Sequence, residues 1–194
     1  NEQLVPFRRK VEIFQAEALD VFSYLEEKFQ LHNLFSYCET GTAITWKRDK
    51  QIALFCEQNK ISWYESQRDG ILRGIRNRND WNASWHKKMH QPVLQNTYTV
   101  SELDASCHPF ELSSKLLEEL QVYPKHCQPA GEQNAWRYLK SFTAKRGFDY
   151  QKYISKPFES RMACSRLSPY IAWGNLSIKQ AFQFIGTHPN GTKN

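Results

Sequence analysis

Four prolines interrupt the middle of this chain and remove its regular hydrophobic spacing. They are Pro92, Pro109, Pro124 and Pro129. Proline lacks a backbone donor and restricts the residue before it, so neither a long helix nor a central strand can run through residues 91–130. We predict that this stretch is a connector between domains, with one short helix at Ser113–Leu120. Residues 1–90 and 131–194 are then the two parts that it joins.

The first part alternates helical and strand patterns. Apolar residues at helical spacing predict helices over residues 14–29 and 43–58, and short apolar runs predict strands over residues 31–37 and 61–65. In the first strand we expect Leu34 and Phe35 to be buried, and in the second helix we expect Ile44, Ile52 and Phe55 to face inward. Helix, strand, helix and strand with short connections are typical of a parallel α/β sheet. Ligands bind beyond the carboxyl ends of such strands, where the loop at residues 37–41 lies.

Only two strands precede the connector, whereas an open sheet normally has more. We therefore expect the missing strands to lie upstream of Asn1, which makes the chain an internal piece of a longer protein. Residues 1–90 contain neither GxGxxG nor GxxxxGK[ST], so no fingerprint of a dinucleotide or nucleoside triphosphate site is present there.

The last part is predicted to be helical, with one helix over Gly131–Arg146 and another over Ser177–Ile185. The predicted fold class is thus α/β followed by all-α, with a partial parallel sheet, a long linker and the start of a helical domain.

Composition excludes several classes of protein. The chain is 40% hydrophobic and 24% charged, close to the average of globular proteins, which argues against disorder and coiled-coil rods. Five cysteines without any CxxC pair indicate neither a disulfide framework nor a zinc ribbon, so we expect no metal and a reducing, cytoplasmic setting. No run approaches the length of a membrane span, and we expect no membrane partner.

A net charge of +6 permits an anionic partner. The basic residues between Ile71 and His90 are interleaved with Trp81 and Trp85, a pattern typical of nucleic-acid binding. The alternative is a solvated basic face with both tryptophans packed inward. The basic residues are Arg73, Arg76, Arg78, Lys87 and Lys88.

The segment from Cys164 to Ser177 contains the clearest local signals. Ser168 is predicted to be a helix N-cap with Pro169 in the first position, Gly174 to stop that helix, and Ser177 to cap the next one. Hydroxyl groups and Arg166 just before a helix form a candidate anion site. The alternative is a capped turn with a structural role alone.

These residues resemble the photolyase and cryptochrome family of flavoproteins. The resemblance rests first on SRLSPYIAWGNLS at residues 165–177. It extends to GEQNAWRYLKSF at 131–142, DYQKYISKP at 149–157, LFSYCETG at 34–41, KRD at 47–49 and the tryptophan-containing stretch from Gly70 to Met89. The matches cover essentially the whole chain in the order of the family: the late α/β domain at 1–90, the linker at 91–130 and the early helical FAD-binding domain at 131–194.

The resemblance implies that FAD is the cofactor. Its diphosphate and ribityl groups would be held by Tyr150 and by Cys164, Ser165, Arg166, Leu167 and Ser168. The family commonly has threonine where Cys164 stands, and Tyr153 competes with Tyr150 for the role of the upstream tyrosine. The loop at Tyr37, Cys38 and Glu39 falls near the pocket of a second antenna chromophore, of the folate or deazaflavin type.

The function implied is light-dependent DNA repair, in which photoexcited reduced FAD transfers an electron to a pyrimidine dimer. The partner would be DNA that contains pyrimidine photoproducts, and the protein would act as a monomer. The chain itself holds no predicted catalytic residue, and alone it should bind flavin poorly and repair nothing. Two alternatives remain: a cryptochrome photoreceptor without repair, and a basic nucleic-acid-binding module.

Overall fold

The computed structural model describes residues 3–101, 104–122 and 124–190. The strands are β1, Asn33–Tyr37, and β2, Ser62–Ser66. The helices are α1 Ala18–Phe29, α2 Ala43–Gln58, α3 Trp81–Met89, α4 Ser114–Gln121, α5 Glu132–Ala144, α6 Tyr150–Tyr153, α7 Ser160–Ala163, α8 Ser168–Ala172 and α9 Ile178–Thr187. Short 3-10 turns occupy Val5–Phe7 and Arg146–Asp149.

The chain divides into two compact units, each made from two separate segments. The first unit contains the described residues up to Ser66 together with Leu94–His126, and the second contains Gln67–Val93 together with the described residues from Cys127 onward. The predicted assignment of residues 1–90, 91–130 and 131–194 to the domains of a longer protein stays a prediction.

The first unit has the predicted alternation of helices and parallel strands. β1 and β2 pair in parallel, with Asn33 opposite Ser62 and Tyr37 opposite Ser66. Ile52 of α2 is 3% exposed and, with Cys56 and Ile61, forms a buried cluster against which both helices and the sheet pack. The coarse fold class is therefore confirmed as a small parallel α/β arrangement followed by helices.

Three expectations for the first unit were wrong in detail. Phe35 is 73% exposed, because successive residues of a strand face opposite sides and Leu34 takes the inner side. Ile44 is 81% exposed, since it lies in the first turn of α2, away from the cluster around Ile52. The first helix begins at Ala18 rather than at Phe14, whose ring instead contacts the rings of His108 and Phe110.

Most of the proline-containing connector, Leu94–His126, belongs to the first unit. The carbonyl of Cys107 accepts hydrogen bonds from the Tyr24 hydroxyl, at 2.9 Å, and from Lys28 Nζ, at 2.8 Å. The backbone N–H of Gln15 donates to the carbonyl of Phe110. The short helix of the connector starts as predicted, with Ser113 as its N-cap accepting from the N–H of Leu116.

The second unit has a helical core. Ala135 and Leu139 of α5 are fully buried, and they cluster with buried residues of the α7–α8 loop, α8 and α9. The cluster is Ala135, Leu139, Leu167, Tyr170, Leu176 and Ala181. The predicted helices in this part are confirmed, the first with shorter bounds, at Glu132–Ala144, and the second shifted toward the C-terminus, at Ile178–Thr187. No helix among the described residues is long and apolar enough to cross a membrane.

Two serines that the sequence predicts as helix caps behave differently. Ser177 caps α9 in a complete capping box, since its side chain accepts from the N–H of Gln180 and its own N–H donates to the Gln180 side chain. Ser168 is not a cap, because Leu167 already has helical angles, with φ of −87° and ψ of −15°, and α8 therefore starts one residue early. Gly174 stops α8 as predicted, with φ of 71°.

This difference predicts unequal effects of two similar substitutions. Ser177→Ala should lower the free energy of unfolding by about 1 kcal/mol, because a capping hydrogen bond is lost. Ser168→Ala, the matched control, should change it by less than about 0.5 kcal/mol, as expected for an exposed residue without a cap bond. Chemical denaturation of both variants measures the two values. Equal losses would contradict the assignment of the caps.

Candidate functional site

The loop of residues 164–168 connects α7 to α8 and has a defined shape. Leu167 is 6% exposed and anchors the loop in the core beside Leu139. Arg166 has a left-handed backbone conformation, with φ of 60°, which is uncommon for a residue with a side chain. It turns the chain between Cys164, which is extended, and Leu167, which is helical. The predicted site residues of this loop are therefore held together in one tight turn.

Arg146 clamps this loop from the 3-10 turn that follows α5. Its Nη1 atom donates to the carbonyl of Cys164, and its Nη2 atom donates to the carbonyls of Ser165, at 3.3 Å, and Tyr138, at 2.9 Å. Its Nε atom donates to Ser141 Oγ at 3.1 Å. One half-buried guanidinium thus fixes the loop to the second half of α5.

Gln128 holds the loop from its other side. Its Nε2 atom donates to the carbonyl of Arg166 at 2.9 Å, and its Oε1 atom accepts from Arg166 Nε at 3.0 Å. The neighbouring carbonyl, that of Pro129, accepts from the hydroxyl of Tyr170 at 2.7 Å. Both the backbone and the side chain of Arg166 are therefore oriented by one amide.

Two guanidinium groups lie near the same aromatic ring. The central carbon of Arg166 lies 5.4 Å from the ring centroid of Tyr138, and that of Arg146 lies 5.6 Å from it, within the range of cation–π attraction. Burial, followed by the nearby charge of Arg166, lowers the pKa of Arg146. Arginine nevertheless stays protonated in proteins, so both charges persist.

No carboxylate among the described residues pairs with either guanidinium; the ion pairs found there involve Lys10 and Arg48 instead. Two positive charges without a described counter-ion favour a bound anion at this place. An anion would also relieve the repulsion between the two arginines.

Backbone donors of the loop add to this preference. The N–H groups of Arg166, Leu167 and Ser168 donate to no acceptor within the described part of the chain. A left-handed residue followed by a helical one brings successive N–H groups into a concave nest that suits an anion. Ser168 is exposed, so the nest is open at this end. Chemically, the loop offers backbone and guanidinium donors to a phosphate or diphosphate.

Tyr150, the predicted upstream ligand, lies at the start of α6. Its ring contacts the ring of Phe142 edge-on, with centroids 6.1 Å apart. No hydrogen bond or ring contact among the described residues joins it to the loop of residues 164–168. Its competitor Tyr153 lies between Lys152 and Lys156, whose ammonium groups are 4.9 and 5.2 Å from its ring centroid. These contacts therefore do not show which of the two tyrosines, Tyr150 or Tyr153, would bind a ligand together with the loop.

The loop after β1, predicted to lie near an antenna pocket, borders a cavity in the first unit. The cavity has a volume of about 290 Å³, with an apolar wall that includes Phe22 and Trp63 and polar groups from Tyr37 and Arg48. Glu39 accepts from the N–H of Gly41 and from Arg48, and these donors lower the pKa of its carboxyl group. Tyr37 lines the cavity, whereas Cys38 and Glu39 are not among its lining residues.

Cysteine and histidine residues form no metal cluster among the described residues, and all five cysteines are free thiols.

The basic segment of the second unit is largely exposed. Every residue from Ile71 to Asp80 is exposed, and the guanidinium of Arg78 lies 5.3 Å from the ring centroid of Trp81. Trp81 stacks near Trp85, with centroids 6.3 Å apart, and Trp85 contacts Phe182 of α9 edge-on. Both tryptophans are half-buried, so they pack inward in part and leave the arginines accessible.

Three residues that shape the loop have no role predicted from the sequence: Gln128, Tyr138 and Arg146. Arg146 was expected as the last residue of a helix, but α5 ends at Ala144 and the following turn aims its side chain at the loop. No local signal identifies its role, because the loop carbonyls that it binds are 18 and 19 residues away in the chain.

No protein-family model matches this chain, and no curated protein sequence matches it at a significant level. The resemblance to photolyases and cryptochromes therefore stays a prediction, as do the ligands it implies.

The contacts of Gln128 predict its effect on stability. Gln128→Ala should lower the free energy of unfolding by about 1–3 kcal/mol, because it removes one hydrogen bond to a charged group and one to a loop carbonyl. Gln133→Ala is the matched control, since Gln133 is exposed on α5, and it should change the value by less than about 0.5 kcal/mol. Urea titrations give both numbers, and equal stability of the two variants would show that Gln128 does not hold the loop.

Proposed function

We propose that this chain belongs to a photolyase-like flavoprotein, in which the loop of residues 164–168 binds the diphosphate of FAD. The observation that supports this proposal is the pair Arg146 and Arg166, which share the ring of Tyr138 and have no described carboxylate partner. In this proposal the first unit is part of a Rossmann-like antenna domain, and the helices from α5 onward begin the FAD-binding domain.

The residues present fit a diphosphate in charge and in donor type. A dinucleotide diphosphate carries two negative charges, which two guanidinium groups balance. The open N–H groups of Arg166, Leu167 and Ser168 supply directional donors, and backbone N–H groups are favoured partners of phosphate oxygens. Nothing in the loop opposes an anion, since no described acidic side chain reaches either arginine.

When bound and reduced, FAD supplies the light-driven electron that splits a pyrimidine dimer in DNA. The role of this chain is to hold and orient: Arg166 and the loop N–H groups bind the diphosphate, and Leu167 ties that site to the helical core. Tyr150 is proposed as a further contact to the phosphate and ribityl groups. Tyr37 and the cavity beside it are the proposed place of an antenna chromophore.

The absorption spectrum of the photolyase-like protein proposed to contain this sequence tests the proposal. The purified protein should show flavin bands, and Arg166→Ala should remove most of them, because a diphosphate loses its fork-shaped donor. Tyr150→Phe should also reduce the flavin content, whereas Tyr153→Phe should not. Arg161→Ala serves as the charge-matched control, since Arg161 is exposed on α7.

A protein without flavin that still bound DNA would contradict this proposal. Reduced flavin content in Tyr153→Phe, with normal content in Tyr150→Phe, would reassign the tyrosine and leave the loop as the proposed diphosphate site.

We propose nucleic-acid binding as a second candidate function, supported by the exposed basic segment. Arg76, Arg78 and Lys87 are exposed and pair with no described carboxylate. Lys88 also lies close enough to Lys179 that its charge, after burial, lowers the pKa of Lys179. Like charges that lie close together in the chain and exposed favour a polyanion, because binding releases its counterions.

This candidate predicts salt-dependent DNA binding by the 194-residue chain without any flavin. Replacing both Arg76 and Arg78 by alanine should make the plot of log affinity against log salt shallower by about 1.4–1.8, the contribution of two phosphate contacts. Filter binding at rising salt measures the slope. The matched control replaces Lys115 and Lys125, two exposed lysines of the connector, and should leave the slope unchanged. Equal slopes for both double variants would exclude the segment as the binding face.

A further inference from the structure

The two arginines near Tyr138 use their donors in different ways. All three nitrogen atoms of the Arg146 guanidinium donate to acceptors within the protein. Arg166 donates through Nε alone, to Gln128, and both of its Nη atoms have no acceptor among the described residues. Arg166 is therefore equipped to contact a ligand, whereas Arg146 is already occupied.

The bonds of Arg146 determine which way the loop peptides face. Arg146 donates hydrogen bonds to the carbonyls of Cys164 and Ser165, which belong to two successive peptide groups. In a planar trans peptide the carbonyl and the following N–H point in opposite directions. The N–H groups of Ser165 and Arg166 are consequently directed away from Arg146, toward the side where the loop can receive an anion.

We infer that Arg146 is a positioning residue for the diphosphate site: it holds the carbonyls of the loop inward so that the loop N–H groups and Arg166 can bind the ligand. The inference rests on the proposed function for the identity of the ligand. Arg146 acts through the loop and does not touch the diphosphate. Its planar fork matters more than its charge, because the fork presents donors from three nitrogen atoms to α5 and the loop at once, whereas an ammonium presents all of its donors from one nitrogen atom.

Substitution by lysine separates these two contributions, since it keeps the charge and removes the fork. The probe is inorganic pyrophosphate, titrated into the 194-residue chain while the backbone amide signals of Arg166, Leu167 and Ser168 are followed by NMR. In Arg146→Lys we expect affinity for pyrophosphate to fall by about tenfold or more, the loss typical of a charge-assisted hydrogen bond. Arg161→Lys, an exposed control on α7, should retain the original affinity.

Ser141→Ala provides a milder variant if Arg146→Lys does not fold. It removes the acceptor of Arg146 Nε without changing any charge. A positioning role predicts weaker pyrophosphate binding in this variant and no change in Ser155→Ala, whose serine is exposed. A role of Arg146 as a counter-charge alone predicts no change in either.

The inference is overturned if Arg146→Lys or Ser141→Ala binds pyrophosphate as the original chain does, or if the loop amides of the original chain do not respond to pyrophosphate. The proposed function fails separately. The flavin assignment is refuted if the protein that contains this sequence holds no flavin. The positioning role is still supported if the loop of that protein binds pyrophosphate in an Arg146-dependent way.

Discussion

The hydrogen bonds from Arg146 to backbone carbonyls are the interaction on which the second unit depends most. They join the second half of α5 to the loop between α7 and α8. Hydrogen bonds to a charged group contribute about 1.5–3 kcal/mol each, roughly twice the value of neutral ones. They offset the free-energy cost of removing the guanidinium from water. No carboxylate among the described residues forms an ion pair with Arg146 that would offset this cost instead.

The apolar core and this polar clamp fix the loop from two directions. Leu167 inserts between α5 and α8, so the middle of the loop cannot move without exposing apolar area. Arg146 and Gln128 then set the orientation of the peptides on either side of it. The left-handed conformation of Arg166, which costs free energy by itself, lies between these two sets of contacts, and they stabilise the turn that contains it.

Local patterns in the sequence predicted local structure well. The second helix, its parallel strands and the cap at Ser177 followed from hydrophobic spacing and turn chemistry, both of which act over a few residues. The cap at Ser168 was wrong because the preceding turn, which is held by Gln128 far away in the chain, starts the helix early. The same reasoning explains why Cys164 to Ser168 could be proposed from the sequence but Arg146 could not. The partners of Arg146 in the loop are carbonyls, which every residue has and no pattern marks.

Repulsion between the guanidinium groups of Arg146 and Arg166 means that a bound anion should stabilise the folded state. Each arginine is fixed by hydrogen bonds within the protein, so neither can move away to reduce the repulsion. A bound anion would lower the electrostatic free energy of the folded state but not that of the unfolded chain, where the two arginines are far apart. Any ligand that binds only the folded state stabilises it in proportion to the logarithm of its concentration. The loop is therefore least stable when it is empty, and the diphosphate proposed for it would complete the charge balance of the second unit.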